Sequence, residues 1–474
     1  VSTFGGLSIA ASGLSAARAA LEVTGQNVAN ANTEGYTRQR IDQSPLAQTT
    51  VATYSTQSSL GEGVLVTGVS RLNDAVVDAR VNSTASAAAY WSATADAVGT
   101  VETSLDEPST SGLASQLNTF WNDWQVVANN IGTDAASGAA NQLIQQGNLL
   151  ASTVSGGYDA AKDAWSAARA GASSTATTIN TTAANIADLN TTIRSLLASG
   201  GSVNSLLDQR DAAVTALARL TGATTRGNAD GTVDVVVGGN SLVSGVTARP
   251  VRLSGAGDFS DVAAGSGVSL VWSDSPSMSV SLDGGEMAAR IASLQPTAPS
   301  GTGGVFAEAA QAYNTIAKAV ADSVNAIHAA GANASGTSGL AFFSYASDAT
   351  AASSLKVVPT SVAGISTAGV GKGANDASTA DAIAQLGSGP SSPNVTWATY
   401  VSRIGSQSAT ATARATTAGT ASIAATTAQT SVSGVDLDEE TSNLVLYQHA
   451  YQASARVIST INDVLDTLIN MGAR

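Results

Sequence analysis

Two histidines, His328 and His449, and one run of carboxylates, Asp436, Asp438, Glu439 and Glu440, are the first places to look for chemistry. A metal site needs three or four His, Cys or carboxylate ligands at set spacing. Neither histidine has a second histidine nearby, and the chain has no cysteine. Disulfides, thiol catalysis and cysteine zinc sites are thereby excluded, and no metal or cofactor is expected. The four acids could form a carboxylate site. They also stand where a long helical pattern begins, and acids in a first helical turn complement the helix dipole by about 0.3–1 kcal/mol each. The run Leu206-Leu207-Asp208-Gln209-Arg210-Asp211 has the i,i+3 spacing of charge partners on a solvated helix face. No G-x-S-x-G elbow, dinucleotide fingerprint or phosphate loop is present. No catalytic residue is singled out.

The elements that would position these residues are mostly helical. Leu7, Leu14, Leu21 and Val28 recur every seven residues with Ala10 and Ala17 between them, the pattern of a coiled-coil seam. Asn27, Asn30 and Asn32 then compete for backbone hydrogen bonds and end that helix. Gly35 supplies a turn. Residues 41–60 read as a long polar loop or arm, and Gly61 to Val69 alternates like a strand. A helix is expected from about Asn73 to before Pro108, and helical patterning returns from 111 to 220. Residues 223–290 change character: 232–240, 267–272 and 278–285 read as strands and turns. A helix through Phe306, Tyr313, Val320 and Ile327 follows. Short elements around Phe342-Phe343 and 383–386 lie in a Gly/Ala/Ser-rich stretch, 331–395. An Ala/Thr helix runs from Trp397 to about Thr430. The last helix carries Leu437, Leu444, Tyr451, Ile458 and Leu465 at sevenfold spacing, with Tyr447, Ile461 and Leu468 beside them. The fold class is therefore mainly α with an inserted β-rich unit (α+β). The terminal helices pair as a coiled-coil core around a long helical-bundle middle domain. The domains are 1–45 with 434–474, 46–222 with 300–433, and 223–299.

Composition narrows the function. The 474 residues carry a net charge of −14, and charged residues make up only 12%, against about 25% in ordinary globular proteins. An acidic chain lacks the basic patches that nucleic acid requires. No apolar run is long enough to cross a membrane. The first helix has only Arg18 as a cation, which does not suit a membrane-surface helix. A basic, signal-like start is missing, so no cleaved signal peptide is expected. Apolar stripes at both ends that cannot be buried alone point to assembly.

The segment Asn27-Val28-Ala29-Asn30-Ala31-Asn32-Thr33-Glu34-Gly35-Tyr36-Thr37-Arg38-Gln39 resembles the N-terminal signature of bacterial flagellar rod, hook and hook-associated proteins. Gly61-Glu62-Gly63-Val64, with Val66, Val69, Arg71 and Asp74, resembles their second signature, and Val435–Ile469, with Tyr451-Gln452-Ala453, their C-terminal helix. Leu206–Asp211 and Ser433–Glu440 are similar to the hook-associated branch. Ser454 stands where relatives often carry Asn, and 331–395 is too short and polar for a separate outermost domain.

The resemblance implies a non-enzymatic structural subunit at the hook–filament junction. Its partners would be further copies of itself in a ring or helical layer, the flagellar hook protein, a second junction protein and an export chaperone. It would be extracellular after type III export. The terminal helices would form an inner tube and stay disordered over roughly 1–40 and 434–474 until polymerisation. A hook or rod subunit is the nearest alternative within the family. A flagellum-borne glycan hydrolase is the alternative from another class, and would need paired carboxylates in a cleft.

Overall fold

The computed structural model describes residues 3–46, 63–298 and 303–472. Helix α1 (Thr3–Asn30) is followed by a hairpin of β1 (Gln39–Pro45) and β2 (Val64–Arg71), antiparallel and bulged between Asp42 and Gln43. The arm expected over 41–60 thus begins as a strand. Its remainder from 47, with Gly61 and Glu62, lies outside the described residues.

Helix α2 (Ala75–Ser104) starts where Asp74 accepts the amides of Val76 and Val77, satisfying donors that a first turn otherwise leaves open. Helices α3 (Leu113–Asn130), α4 (Ala136–Ala198) and α5 (Asn204–Thr221) follow. At 63 residues α4 spans about 95 Å. It runs unbroken through Gly156-Gly157, and at Gly157 the Tyr313 ring lies so close that a Cβ would collide with it.

The inserted unit has one four-stranded antiparallel sheet and one two-stranded sheet. The first orders β3 (Thr224–Gly227), β4 (Val233–Val237), β5 (Asn240–Ser244) and β6 (Thr247–Ala248) side by side. The second pairs β7 (Val251–Gly255) with β8 (Val268–Trp272) across a short helix α6 (Phe259–Ala263). The strand expected over 278–285 does not form. Ser279 makes a single bridge to Val271, and Gly285, at φ 77°, turns the chain into helix α7 (Gly285–Ser293).

Helix α8 (Val305–Ala330) then crosses the body. Short strands β9 (Gly331–Ala332), β10 (Phe343–Ser344), β11 (Lys356–Val357) and β12 (Ala368–Gly369) alternate with helices α9 (Ala351–Ser354) and α10 (Ser378–Ala384). Helix α11 (Pro393–Ser433) begins with proline at its first position and Ser392 as cap. The chain ends in α12 (Leu437–Gly472).

One continuous core serves helices and sheets alike. It runs from Phe120, Trp124 and Phe342 through Trp165 and Ile316 to Val235, Leu242 and Trp272. Helix α4 packs on α3, α5 and α8, and α2 packs along α11, α5 and α7. Two asparagines of α4 act as strand partners. Asn180 exchanges both backbone hydrogen bonds with Val251, at 2.8 Å each. Asn190 does the same with Val233 and also donates to the Gly245 carbonyl. Such pairing satisfies strand groups that face a helix and have no neighbouring strand. The terminal elements stand apart, with a small core of Ala20, Val23 and Ile41 against Tyr447.

Candidate assembly site

Helices α1 and α12 pack antiparallel. A Cβ on Gly6 would lie 3.3 Å from Ile461, and one on Gly13 would lie 3.2 Å from the Ser454 hydroxyl. One heptad further, Ala20 meets Tyr447. The buried seam of α1 therefore uses Ala10, Ala17, Ala20, Thr24 and Asn27, with Gly6 and Gly13 in the same register. The apolar heptad expected as the seam lies one residue on: Leu7, Leu14 and Leu21 are half-buried and Val28 is exposed. On α12, Leu444, Ile458 and Leu465 are half-buried toward α1, while Tyr451, Leu437 and Leu468 are exposed. A second stripe, Leu446, Val457, Val464, Leu468 and Met471, lies open at 45–71% exposure.

The terminal pair joins the body through a polar knot. Asn27 holds the start of β1: its amide donates to the Gln39 carbonyl (2.9 Å), and its oxygen accepts the Gln39 amide (3.0 Å) and the Tyr36 hydroxyl (2.9 Å). Asn30 bonds back to Gln26 and accepts from Thr33, Asn32 is exposed, and Gly35 takes a φ of 79° at the turn. Four segments meet at Arg38. Its amide donates to the Ser433 carbonyl at the end of α11, and its carbonyl accepts from Leu72. Its guanidinium donates to Glu440 at 2.6 Å and to Glu439 at 2.8 Å on α12. Arg71, at the end of β2, pairs with Asp208 (3.0 Å) and Asp211 (2.5 Å) of α5. Asn204 donates to Gln39 and to the Val69 carbonyl, and Asp208 accepts the Thr37 amide.

Burial gives these charges weight. The Glu440 side chain is 2% exposed and Arg38 15%. The hydrogen bond to Glu439, aided by Glu440 against burial, raises the Arg38 pKa, and Arg38 lowers that of Glu439. Burial pushes the Asp208 carboxyl up, opposed by Thr37 and Arg71. Burial, with Asp208 and Glu440 nearby, pushes the Tyr36 phenol up to about 12.

The charges of 206–211 are thus not partners along a solvated helix face. Asp208 and Asp211 turn toward Arg71 of the hairpin. Arg210 is buried and donates to Asn190 and the Gly231 carbonyl, with its pKa lowered by burial. Leu207 packs on the cluster of Leu189, Ile193 and Val203. In the run 436–440, Asp436 caps α12 by accepting the Asp438 and Glu439 amides, as the dipole argument expects. Glu439 and Glu440 serve Arg38 instead. Arg38, Gln39 and Arg71 fall within the signature stretches, but no local pattern shows the pairing of Arg38, Arg71 and Asn204, whose partners lie 135 to 402 residues away in the chain.

His328 has a structural role. His328 is buried, with Nδ1 2.8 Å from the Leu340 carbonyl and Nε2 accepting the Ser366 amide at 2.9 Å, an arrangement that suits the neutral ring. His449 is exposed on α12. Among the described residues no three His, Cys, Asp or Glu side chains group as metal ligands, and no helix is long and apolar enough to cross a membrane.

Paired terminal helices with open apolar stripes, tied by a charged knot to a helical body, have the architecture of a subunit that assembles through its ends. The family described as flagellar hook-associated protein FlgK helical domain matches residues 98–343. Flagella basal body rod protein matches 7–37, and flagellar basal body rod FlgEFG protein C-terminal matches 429–471. The chain belongs to the FlgK family of flagellar hook-associated proteins. Flagellar hook-associated protein 1 of Bacillus subtilis (strain 168) is 29% identical over 504 residues, covering 99% of this chain and 98% of that protein. That of Escherichia coli (strain K12) is 26% identical, covering 98% of each. The flagellar hook junction protein FlgK from Burkholderia pseudomallei has a similar fold, with a TM-score of 0.58 and 17% identity over 74% of this chain and 100% of that one.

Proposed function

We propose that this chain is a structural junction subunit of the bacterial flagellum, polymerising at the hook tip and connecting hook to filament. The observation that carries the reading is the knot at Arg38, where α1, the hairpin, α11 and α12 meet. A load on the terminal helices passes to the body through short, buried, charge-assisted bonds. No catalytic role is assigned to the knot carboxylates, because Glu439, Glu440, Asp208 and Asp211 each face an arginine.

The proposed assembly seam has two parts. Leu444, Ile458 and Leu465 hold α12 to α1, and the exposed Tyr451 beside them is open to a neighbouring copy. Leu7, Leu14, Leu21, Val28, Leu437 and Leu468, left partly open, meet neighbouring copies, and the stripe from Leu446 to Met471 joins them. The hook protein below, a second junction protein above and an export chaperone complete the proposed partners, with export by the type III route. Roughly residues 1–40 and 434–474 order on polymerisation, as open apolar stripes need cover.

Replacing Leu446 and Val457 by Asp tests the reading. Both are exposed in the single chain, so the monomer keeps its fold while assembly at the hook tip is lost. Normal assembly of the variant would overturn it. Strong hydrogen-exchange protection of 1–40 and 434–474 in the free monomer would overturn ordering on polymerisation.

A further inference from the structure

Five of the six tryptophans are buried, and Trp91 is half-buried. It stands on α2 beside the valley between α2 and α11, a concavity of about 650 Å³. Arg414 of α11 lies over its ring, 4.5 Å from the centroid. Arg414 is exposed and pairs with no carboxylate among the described residues. Ala87, Ala409, Ala413 and Thr417 form much of the remaining wall. Small walls admit a helix at close range, and an exposed aromatic–arginine pair is the composition of an interface centre.

Helix α4 packs on α8, which also touches α11, and makes a smaller contact with α2. Its outer face carries Asp159 and Asp163, one turn apart, and Asp188 on the same face further along, all exposed. None of the three makes an ion pair among the described residues. Ala167, Ala170 and Ser174 lie between them, exposed and small, and Lys162 stands at the margin.

We propose that neighbouring copies of this chain pack side by side, the α4 outer face of one entering the α2–α11 valley of the next, with Asp159 and Asp163 reaching Arg414. The contact joins two different surfaces, so repetition generates a ring or helical layer. It rests on the reading of the chain as a polymerising subunit. Opposite charges on the two surfaces set which faces meet and in what register.

The natural chain has no cysteine, so an introduced pair reports without background. The full-length Ser166→Cys, Thr417→Cys double variant is expressed in flagellated cells, mildly oxidised and run on a denaturing gel. The expected result is a ladder of crosslinked copies that neither single variant gives. Adding Arg414→Glu removes the ladder, and adding Asp159→Arg and Asp163→Arg as well restores it. A double variant that enters the flagellum without a ladder overturns this contact and leaves the proposed function standing. A wild-type chain that never enters the flagellum overturns both.

Discussion

Truncating Arg38 to alanine is the sharpest perturbation of the knot. The guanidinium lies 2.6 Å from Glu440, whose side chain is 2% exposed, and 2.8 Å from Glu439, which is 57% exposed. Losing the exposed half of the contact costs less than about 1 kcal/mol. Losing the buried half leaves Glu440 without a counter-charge, and breaking such a pair costs about 3–5 kcal/mol. Most of the effect belongs to Glu440. The backbone bond from Arg38 to Ser433 survives, so the loss falls on the joint between α11 and α12 rather than on the whole body. Hydrogen exchange of amides 433–440 in assembled flagella, where the terminal helices are ordered, reads it directly. A loss near 3 kcal/mol means opening about 100-fold more often. A double variant, Arg38→Met with Glu440→Leu, removes both charges and recovers most of the loss, since an apolar pair of similar volume replaces a buried ion pair at little cost. Exchange at 433–440 unchanged in Arg38→Ala, or a double variant as open as the single one, would refute the reasoning.

Other expectations follow from the same structure. Gly13→Leu overpacks the α1–α12 seam against Ser454 and costs about 1–3 kcal/mol, whereas Leu7→Ala, at a half-exposed position, leaves the pair intact; exchange protection of α12 in assembled flagella distinguishes them. Asn190→Ala strands the Val233 backbone and one Arg210 donor at a fully buried position. It lowers stability in urea by at least about 2 kcal/mol, and a change under half that value contradicts the strand-partner role. Burial lowers the His328 pKa, so the unfolded chain takes up this proton first. Stability is full above about pH 6.5 and is lost as pH falls toward the depressed folded value. An NMR titration midpoint at or above about 6.5 would contradict it. Asp234 is held down to about 2 by Arg226, Asn228 and the Gly245 amide. Its stabilisation is present above the unfolded carboxylate value near 3.9 and disappears as pH falls toward 2; Asp234→Asn should flatten that acid limb in a pH-dependent melt.

Much of the fold was legible in the chain because the long helices carry strong periodicity. Helix α12 lies where Leu444, Ile458 and Leu465 place it. Within the single chain the buried face of α1 keeps Ala10 and Ala17 of the expected seam but lies one position from its leucines. A hydrophobic pattern weights Leu7 and Leu14, but close packing selected Gly6, Gly13 and Ala20, whose small size lets α12 approach. Ser454, across from Gly13, suits that same close seam. The failed strand at 278–285 has a related cause. The pair Gly284-Gly285 marks a strand end in sequence, yet it serves a close backbone approach to Thr221 and Gly222 and opens α7. The knot was half legible. Its asparagines and acids stand in recognisable motifs, but what Asp208 does depends on Arg71, which lies on a different element. Helix-face rules see only neighbours three or four residues away, so they assign such a charge to solvent.

The central claim is that this chain forms the joint between hook and filament. Immunogold electron microscopy on intact flagella, with antibody against residues 223–290, tests it most directly. The account predicts a narrow labelled band between hook and filament. Label along the whole hook, or none on the appendage, would contradict it.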